Sequence, residues 1–426
     1  MPELSDSVRQ AILDRRESLG EPMAAFFYDL AALAAHAETV KRALPVGVEL
    51  FYAIKANSEP AILDTLAPIV DGFELSSGGE LERAAECRQR LPWVLSGPGK
   101  LDTDLRRALE LGVEAIHVES LGEIERLAHI ADRLGRDQSV FLRVNPELPE
   151  AFSTRLNMAG SATPFGLDET DLPSAIALVA ASTHLHLHGF HVHAMSHQKS
   201  VERHCALMDL LLEKWEQWCA LLGPDTRPTH LNVGGGIGVD YLTDTRFNWP
   251  ALCAHLETRL ASLESPPRVR FEIGRYLSAF CGFYAVEVLD RKTSHGEHFL
   301  ICRGGTHHFR LPAAQGHDHP VIHLPRHRDS ANGDPQRFNV VGQLCTPKDV
   351  FSRACWLRDI EVGDLLVLPL AGAYGYNISH ADFLCHPRPP LFFLSNAPEA
   401  APDVGLSKKP GVAPGLKTTS GVPETP

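Results

Sequence analysis

Lys55 closes the run Phe51-Tyr52-Ala53-Ile54-Lys55-Ala56-Asn57, an apolar, strand-like segment that ends on an amine and a carboxamide. An amine held at the end of a buried strand loses hydration, its pKa falls, and it becomes a candidate imine-forming nucleophile. Lysine also closes many strands as a solubilising residue, so Lys55 needs context. His193 lies near the end of LHGFHVHA (187–194), three glycines (234–236) leave THLNVGGG (229–236), and Glu272 with Gly274-Arg275 ends VRFEIG (269–274). A triple glycine leaving a strand lets backbone N–H groups approach a phosphate, and an arginine-containing turn beside it adds further donors. A tight turn without a ligand is the alternative reading of those glycines.

Such residues must be brought together by the elements that carry them. Eight apolar runs rich in branched residues recur from about residue 50 to 275: ELFYAIKA (49–56), DGFELSS (71–77), PWVLSG (92–97), EAIHVES (114–120), SVFLRVN (139–145), LHGFHVHA, THLNVGGG and VRFEIG. Between them lie segments such as LGEIERLAHIADRLG with apolar residues at helical spacing. Alternating strands and helices imply a parallel sheet, and eight units predict an α/β fold of the (β/α)8 TIM-like barrel type, assigned to residues 25–275. Barrels carry their chemistry at the carboxyl ends of their strands, where Lys55, His193, the glycines and Glu272 fall, and often hold a phosphate between the last two. An open doubly wound sheet is the runner-up, without its dinucleotide fingerprint.

Beyond 276 the texture turns to dense β-type runs, predicting a C-terminal mostly β domain over 276–396, with MAAFFYDL adding an N-terminal strand near 24–30. Residues 397–426, rich in Pro, Gly and Ser, predict a disordered tail.

The 426 residues are 44% hydrophobic, enough for a large core, and carry a formal net charge of -13, which disfavours nucleic acid as a partner. Nine scattered cysteines without a CxxC pair imply neither a disulfide framework nor a zinc ribbon. No export signal or membrane-length apolar stretch is found, so a cytoplasmic protein acting on a small molecule is expected.

YAIKAN, FELSSGGEL, TPFG (163–166), HVHAMS, NVGGGIG, FEIGRY, GQLC…D (342–349) and GAYG (372–375), in order and spacing over about residues 25–395, resemble the alanine-racemase-like, fold type III, pyridoxal phosphate decarboxylases. Diaminopimelate, ornithine and arginine decarboxylases belong to that family. The resemblance implies pyridoxal 5'-phosphate as cofactor, with Lys55 as its Schiff-base lysine and His193 stacked on its ring. Ser196, Gly235, Gly236, Gly274, Arg275 and Tyr374 would hold the phosphate. Glu272 would face the pyridine nitrogen and keep it protonated, so that the ring accepts the electrons left by carbon dioxide. Racemases of this fold place arginine there, so Glu272 points to decarboxylation. The resemblance also implies a homodimer with active sites at the interface, in which Cys345 reaches across to protonate the carbanion; a buried inert thiol is the alternative. Glu74 takes the place of an acid near the cofactor, or is a solvated strand-end carboxylate. Asp349 binds substrate or orders the cysteine loop.

Two departures from the family bear on the substrate. The acidic residue that usually follows the loop cysteine is replaced by Thr346, which removes the partner of a distal ammonium. The segment GGTHHFRLP (304–312) offers His307, His308 and Arg310, suited to carboxylates. With HAMS in place of HIGS, this looks like the branch of carboxylate-siderophore biosynthesis, whose substrate is an amino acid acylated by citrate, as in citryl-diaminopropionate on the way to staphyloferrin B. A diaminopimelate, ornithine or arginine decarboxylase is the alternative, and a racemase or non-catalytic pyridoxal phosphate carrier is one of another class. The basic segment could also merely face solvent.

The run His184, His186, His188, His191, His193 invites a metal reading. Strict alternation puts the first three on one strand face and the last two on the other. No metal site is therefore expected, and only His193 carries a specific role.

Overall fold

All eight apolar runs become parallel strands of one closed barrel. The computed structural model describes residues 4–149, 152, 159–223, 226, 228–243, 245–326 and 333–395; the predicted tail (397–426) lies outside them. After a first strand β1 (Ala24–Asp29), which lies outside the barrel, come β2 (Val48–Ala53), β3 (Gly72–Leu75), β4 (Trp93–Leu95), β5 (Ala115–Val118) and β6 (Gln138–Asn145). A two-residue strand β7 (Leu167–Asp168) pairs with β6, and β8 (Leu185–His191), β9 (His230–Asn232) and β10 (Arg268–Ile273) complete the barrel. Its order is β2-β3-β4-β5-β6-β8-β9-β10, closed by parallel pairing of β10 with β2. Strands β3, β4 and β5 are buried at every residue, because side chains alternate between the filled interior and the helical sleeve. The sleeve helices follow their periodicity: Leu121–Leu134 buries Ile124, Leu127, Ile130 and Ala131 on one face, starts on a Ser120 cap and stops at left-handed Gly135.

One pairing breaks the expected alternation. Along β6 and β8, Val140 faces Leu187 but Phe141 faces Gly189, so His188 is an extra residue in the ladder. The bulge reverses the parity after it. His188 packs against Phe141 and stacks on His230, while His191 is buried beside His117. The assignment of His188 and His191 to opposite faces is corrected accordingly, since a bulge shifts the face of every residue beyond it.

The second sheet is built around β11 (Gly282–Ser294). It pairs antiparallel with β1, with β12 (Glu297–Cys302) and, beyond β13 (Ile322–Leu324), β14 (Gln336–Val341) and β15 (Val350–Leu357), with β16 (Leu365–Leu368). A last strand, β17 (Leu391–Leu394), lies parallel to β1. The amino-terminal segment thus supplies an interior strand of a sheet otherwise made by residues after 281. A helix that the polar amino terminus did not suggest, Asp6–Ser18, buries Val8 and Ile12 against this sheet, and Arg16 donates to Glu287 Oε1 at 2.7 Å.

Candidate active site

The carboxyl ends of the barrel strands converge on a cavity of about 400 Å³. Lys55 stands just past β2 in a short 3-10 helix, Ile54–Ala56. Its Nζ donates to Glu74 Oε2 at 2.8 Å. Glu74, in β3, is fully buried, and its Oε1 accepts from the hydroxyls of Ser76, at 2.8 Å, and Ser96. The solvated reading of Glu74 therefore fails. So does the expected fall in the Lys55 pKa: burial pulls it down, but the charge of Glu74, then Tyr374 and Glu272, outweigh it and leave it above the ordinary lysine value. In this site the amine rests as an ammonium.

Glu272, near the end of β10, accepts from Asn232 Nδ2 at 2.7 Å. Burial, then the negative charge of Glu74, raise its pKa to about 7 against the pull of Lys55. His193 has its Nδ1 fixed as an acceptor by the Gly235 N–H at 3.2 Å, and burial followed by the charge of Lys55 lowers its pKa to about 3, so the ring is neutral. The glycines form a close-fitting cradle. A Cβ on Gly235 would lie 2.1 Å from the Glu272 carbonyl oxygen, and one on Gly236 2.1 Å from that of Met195. Arg275 Nη1 donates to Tyr241 Oη at 2.7 Å, and the guanidinium lies 4.4 Å from the Tyr374 ring centroid. A loop of the β domain reaches this end of the barrel: the Tyr374 N–H donates to the Ala56 carbonyl at 2.7 Å and Asn377 Nδ2 to the Lys55 carbonyl at 2.6 Å.

Of the residues assigned to the cofactor, Lys55, His193, Ser196, Gly236, Glu272, Gly274, Arg275 and Tyr374 all line the cavity, and Gly235 sits directly behind. Strand-end reasoning missed Arg143, which also lines it and pairs with Glu119 at 2.7 Å. The signal was present, since Arg143 lies near the carboxyl end of SVFLRVN. The residues fit pyridoxal phosphate. Its ring nitrogen, when protonated, is the cation that Glu272 lacks among the described residues, where only neutral histidines stand within 4.0 Å. The glycine cradle and Arg275 match its phosphate, and an amine opens into the cavity for its aldehyde.

Residues 30–279 match the family model of the pyridoxal-dependent decarboxylases, pyridoxal binding domain. The chain belongs to this family: it is a pyridoxal phosphate-dependent amino-acid decarboxylase built as a (β/α)8 barrel with a second, mostly β domain. It is 37% identical over 398 residues to the 2-[(L-alanin-3-ylcarbamoyl)methyl]-2-hydroxybutanedioate decarboxylase of Staphylococcus aureus, covering 92% of this chain and 98% of that one. The diaminopimelate decarboxylase of Pseudomonas aeruginosa is 32% identical over 335 residues, 77% of each chain. The crystal structure of Helicobacter pylori diaminopimelate decarboxylase complexed with L-lysine superposes with a TM-score of 0.80 at 25% identity, covering 90% of this chain and 94% of that one.

The residues assigned to substrate lie elsewhere. Asp349 Oδ1 accepts from the Thr306 N–H at 2.6 Å and Oδ2 from that of Leu344 at 2.8 Å, so the carboxylate clasps the cysteine loop to the 304–312 segment. That is the contact the loop-ordering alternative describes. His308 is buried with both nitrogens engaged, by Tyr284 Oη at 3.0 Å and the Pro387 carbonyl at 2.9 Å. His307 is buried against it, with ring centroids 3.9 Å apart. Arg310 is exposed; its backbone N–H is engaged by Ser379 Oγ at 3.0 Å and its carbonyl by the Ala314 N–H at 2.9 Å. Cys345 is exposed too, not the buried thiol of the alternative reading, and neither it nor Arg310 lines the cavity of its own chain.

Proposed function

We propose that the enzyme removes the α-carboxylate of a diamino acid carried as an amide of citrate, citryl-diaminopropionate, in the assembly of a carboxylate siderophore. The Staphylococcus aureus relative, matched over nearly its whole length, carries this reading, because its name describes that compound class. Two features of this chain agree with it. Thr346 gives a distal ammonium no carboxylate to pair with, and the exposed guanidinium of Arg310 suits a citryl carboxylate, for which arginine offers a two-pronged donor.

Bound pyridoxal phosphate supplies the electron sink for the departing carboxylate. The chain's own residues do the rest. Lys55 is the attachment point, and Glu74 holds its ammonium when it is displaced. Glu272 would keep a proton on the ring nitrogen, and neutral His193 would stack on the ring. Ser196, Gly235, Gly236, Gly274, Arg275 and Tyr374 would hold the phosphate. Cys345 serves the site of a second copy, delivering the proton to the α carbon, so the working unit is a homodimer with its sites at the interface. The barrel is assigned to 25–275 and the β domain to 276–396, joined by the strand near 24–30, and the cytoplasm is assigned as its place. Among the described residues no helix is long and apolar enough to cross a membrane.

Release of carbon dioxide from the citryl conjugate, meso-diaminopimelate, ornithine and arginine by the purified enzyme tests the assignment. The conjugate is expected to lead in kcat/KM by at least about a hundredfold, as for substrates whose distal group the pocket pairs or leaves unpaired. Lysine released from diaminopimelate faster than carbon dioxide from the conjugate would reverse it.

A further inference from the structure

His117, in β5, and His191, at the end of β8, have no part in the reading above. Both are buried, at 0% and 1% exposure, and none of their four ring nitrogens has a hydrogen-bond partner among the described residues. A buried polar group left unpaired costs about 1–3 kcal/mol, so two side by side need a reason. The rings lie 4.3 Å apart, and both face Glu272. His117 Nδ1 is 3.7 Å from Oε1, and His191 Nε2 is 3.5 Å from Oε2. Both separations lie just beyond hydrogen-bond distance.

Burial drives both rings well below the ordinary histidine pKa, so each is neutral and carries one N–H, whose position follows what the ring faces. Around Glu272, Lys55 and Arg143 favour the anion and Glu74 opposes it, while His193 is neutral. With burial, the net effect raises its pKa, toward a neutral acid that could not keep a ring nitrogen protonated. Donation to the charged form tips it toward the anion.

We propose that His117 and His191 are positioning residues that hold Glu272 as an anion, His117 donating from Nδ1 to Oε1 and His191 from Nε2 to Oε2. Oε1 also receives Asn232, so Oε2 keeps the free lone pair that meets the cofactor ring. The proposal rests on the assignment of Glu272 to the ring nitrogen.

The test reads Glu272 directly in the cofactor-free protein. Glutamate labelled with carbon-13 at the side-chain carboxyl is titrated by NMR, with Glu272→Gln identifying the resonance. In His117→Leu and His191→Leu the midpoint is expected to rise by a unit or more, tenfold in proton affinity. His117→Asn and His191→Gln, which return an amide N–H near the lost donor, are expected to restore it. Pyridoxal phosphate added to each cofactor-free variant should bind about tenfold more weakly to the leucine forms and normally to the amide forms. Folded leucine variants with an unmoved midpoint overturn the proposal, and if these fail to fold, amide variants displaced by a unit do so. The ligand atoms of His117, His191 and Glu272 lie within 4.8 Å of one another, a spacing that could hold a metal ion. Stoichiometric zinc in the cofactor-free protein, released by chelator, would therefore also overturn it, making the rings ligands instead of donors. Glu272→Gln enzyme with normal turnover would instead remove the role of Glu272 itself, a separate failure.

Discussion

At the scale of single residues the site is a set of opposed charges, and Lys55 and Glu74 form one of its ion pairs. The Lys55 ammonium and the two serine hydroxyls hold Glu74 at a pKa of about 2, against an ordinary 4.5, although burial alone would raise it. A depressed carboxylate stabilises the fold above its unfolded pKa, and that contribution fades as pH falls through the folded one. In the cofactor-free protein the Glu74 contribution should therefore be complete above about pH 4.5 and disappear toward pH 2. Urea unfolding across that window should show wild type losing stability more steeply than Glu74→Gln. At neutral pH the variant should be less stable by about 1–3 kcal/mol, below the usual cost of breaking a buried pair because 41% of the Lys55 side chain is exposed. Equal slopes would mean the pair contributes nothing to folding.

At the scale of elements, strand ends and glycine turns do the positioning, and a single methyl group tests how tightly. Gly235→Ala drives a Cβ against the Glu272 carbonyl oxygen, where the backbones of two neighbouring strand ends cannot part without moving Glu272 and His193. The substitution should cost about 1–3 kcal/mol of stability and weaken pyridoxal phosphate by tenfold or more, measured by thermal melts and by absorbance titration of the cofactor-free protein. Gly99→Ala, with nothing within 4 Å, is the control and should match wild type. These elements were also the most legible part of the sequence. Each of the eight barrel runs shows its burial in its composition, and barrel geometry alone selects the residues at their ends. The bulge at His188 was not legible, because one extra residue in a ladder leaves no mark on hydrophobic alternation. Nor was the helix Asp6–Ser18, whose two buried residues, Val8 and Ile12, are too few to stand out in a charged segment. For His308 and Asp349 the sequence displays their chemistry and hides their partners: a tyrosine hydroxyl, a carbonyl and two backbone amides from distant segments.

At the scale of the whole molecule, the cavity gathers residues that fit the cofactor, while the thiol and the guanidinium assigned to the rest of the reaction lie outside it. No cysteine lines it, and neither does Arg310. Cys345 and Arg310 belong to segments that Asp349 clasps together, one through the Leu344 N–H and the other through that of Thr306, and both residues are exposed. A two-fold dimer that places these segments over the cavity of the other copy completes both sites at once, since an isologous interface repeats each contact. Complementation tests this arrangement. Lys55→Ala would lack the proposed attachment point and Cys345→Ala the proposed proton donor, so each alone should be nearly inactive. Unfolded and refolded together in equal amounts, half of the dimers become mixed, and each mixed dimer holds one site with both native residues. Activity should recover to roughly a quarter of wild type. Sites made wholly within one chain would leave the mixture as inactive as its parents, and that result would return the search for the proton donor to the cavity itself, where Glu74, Glu272 and the histidines are the groups able to carry a proton.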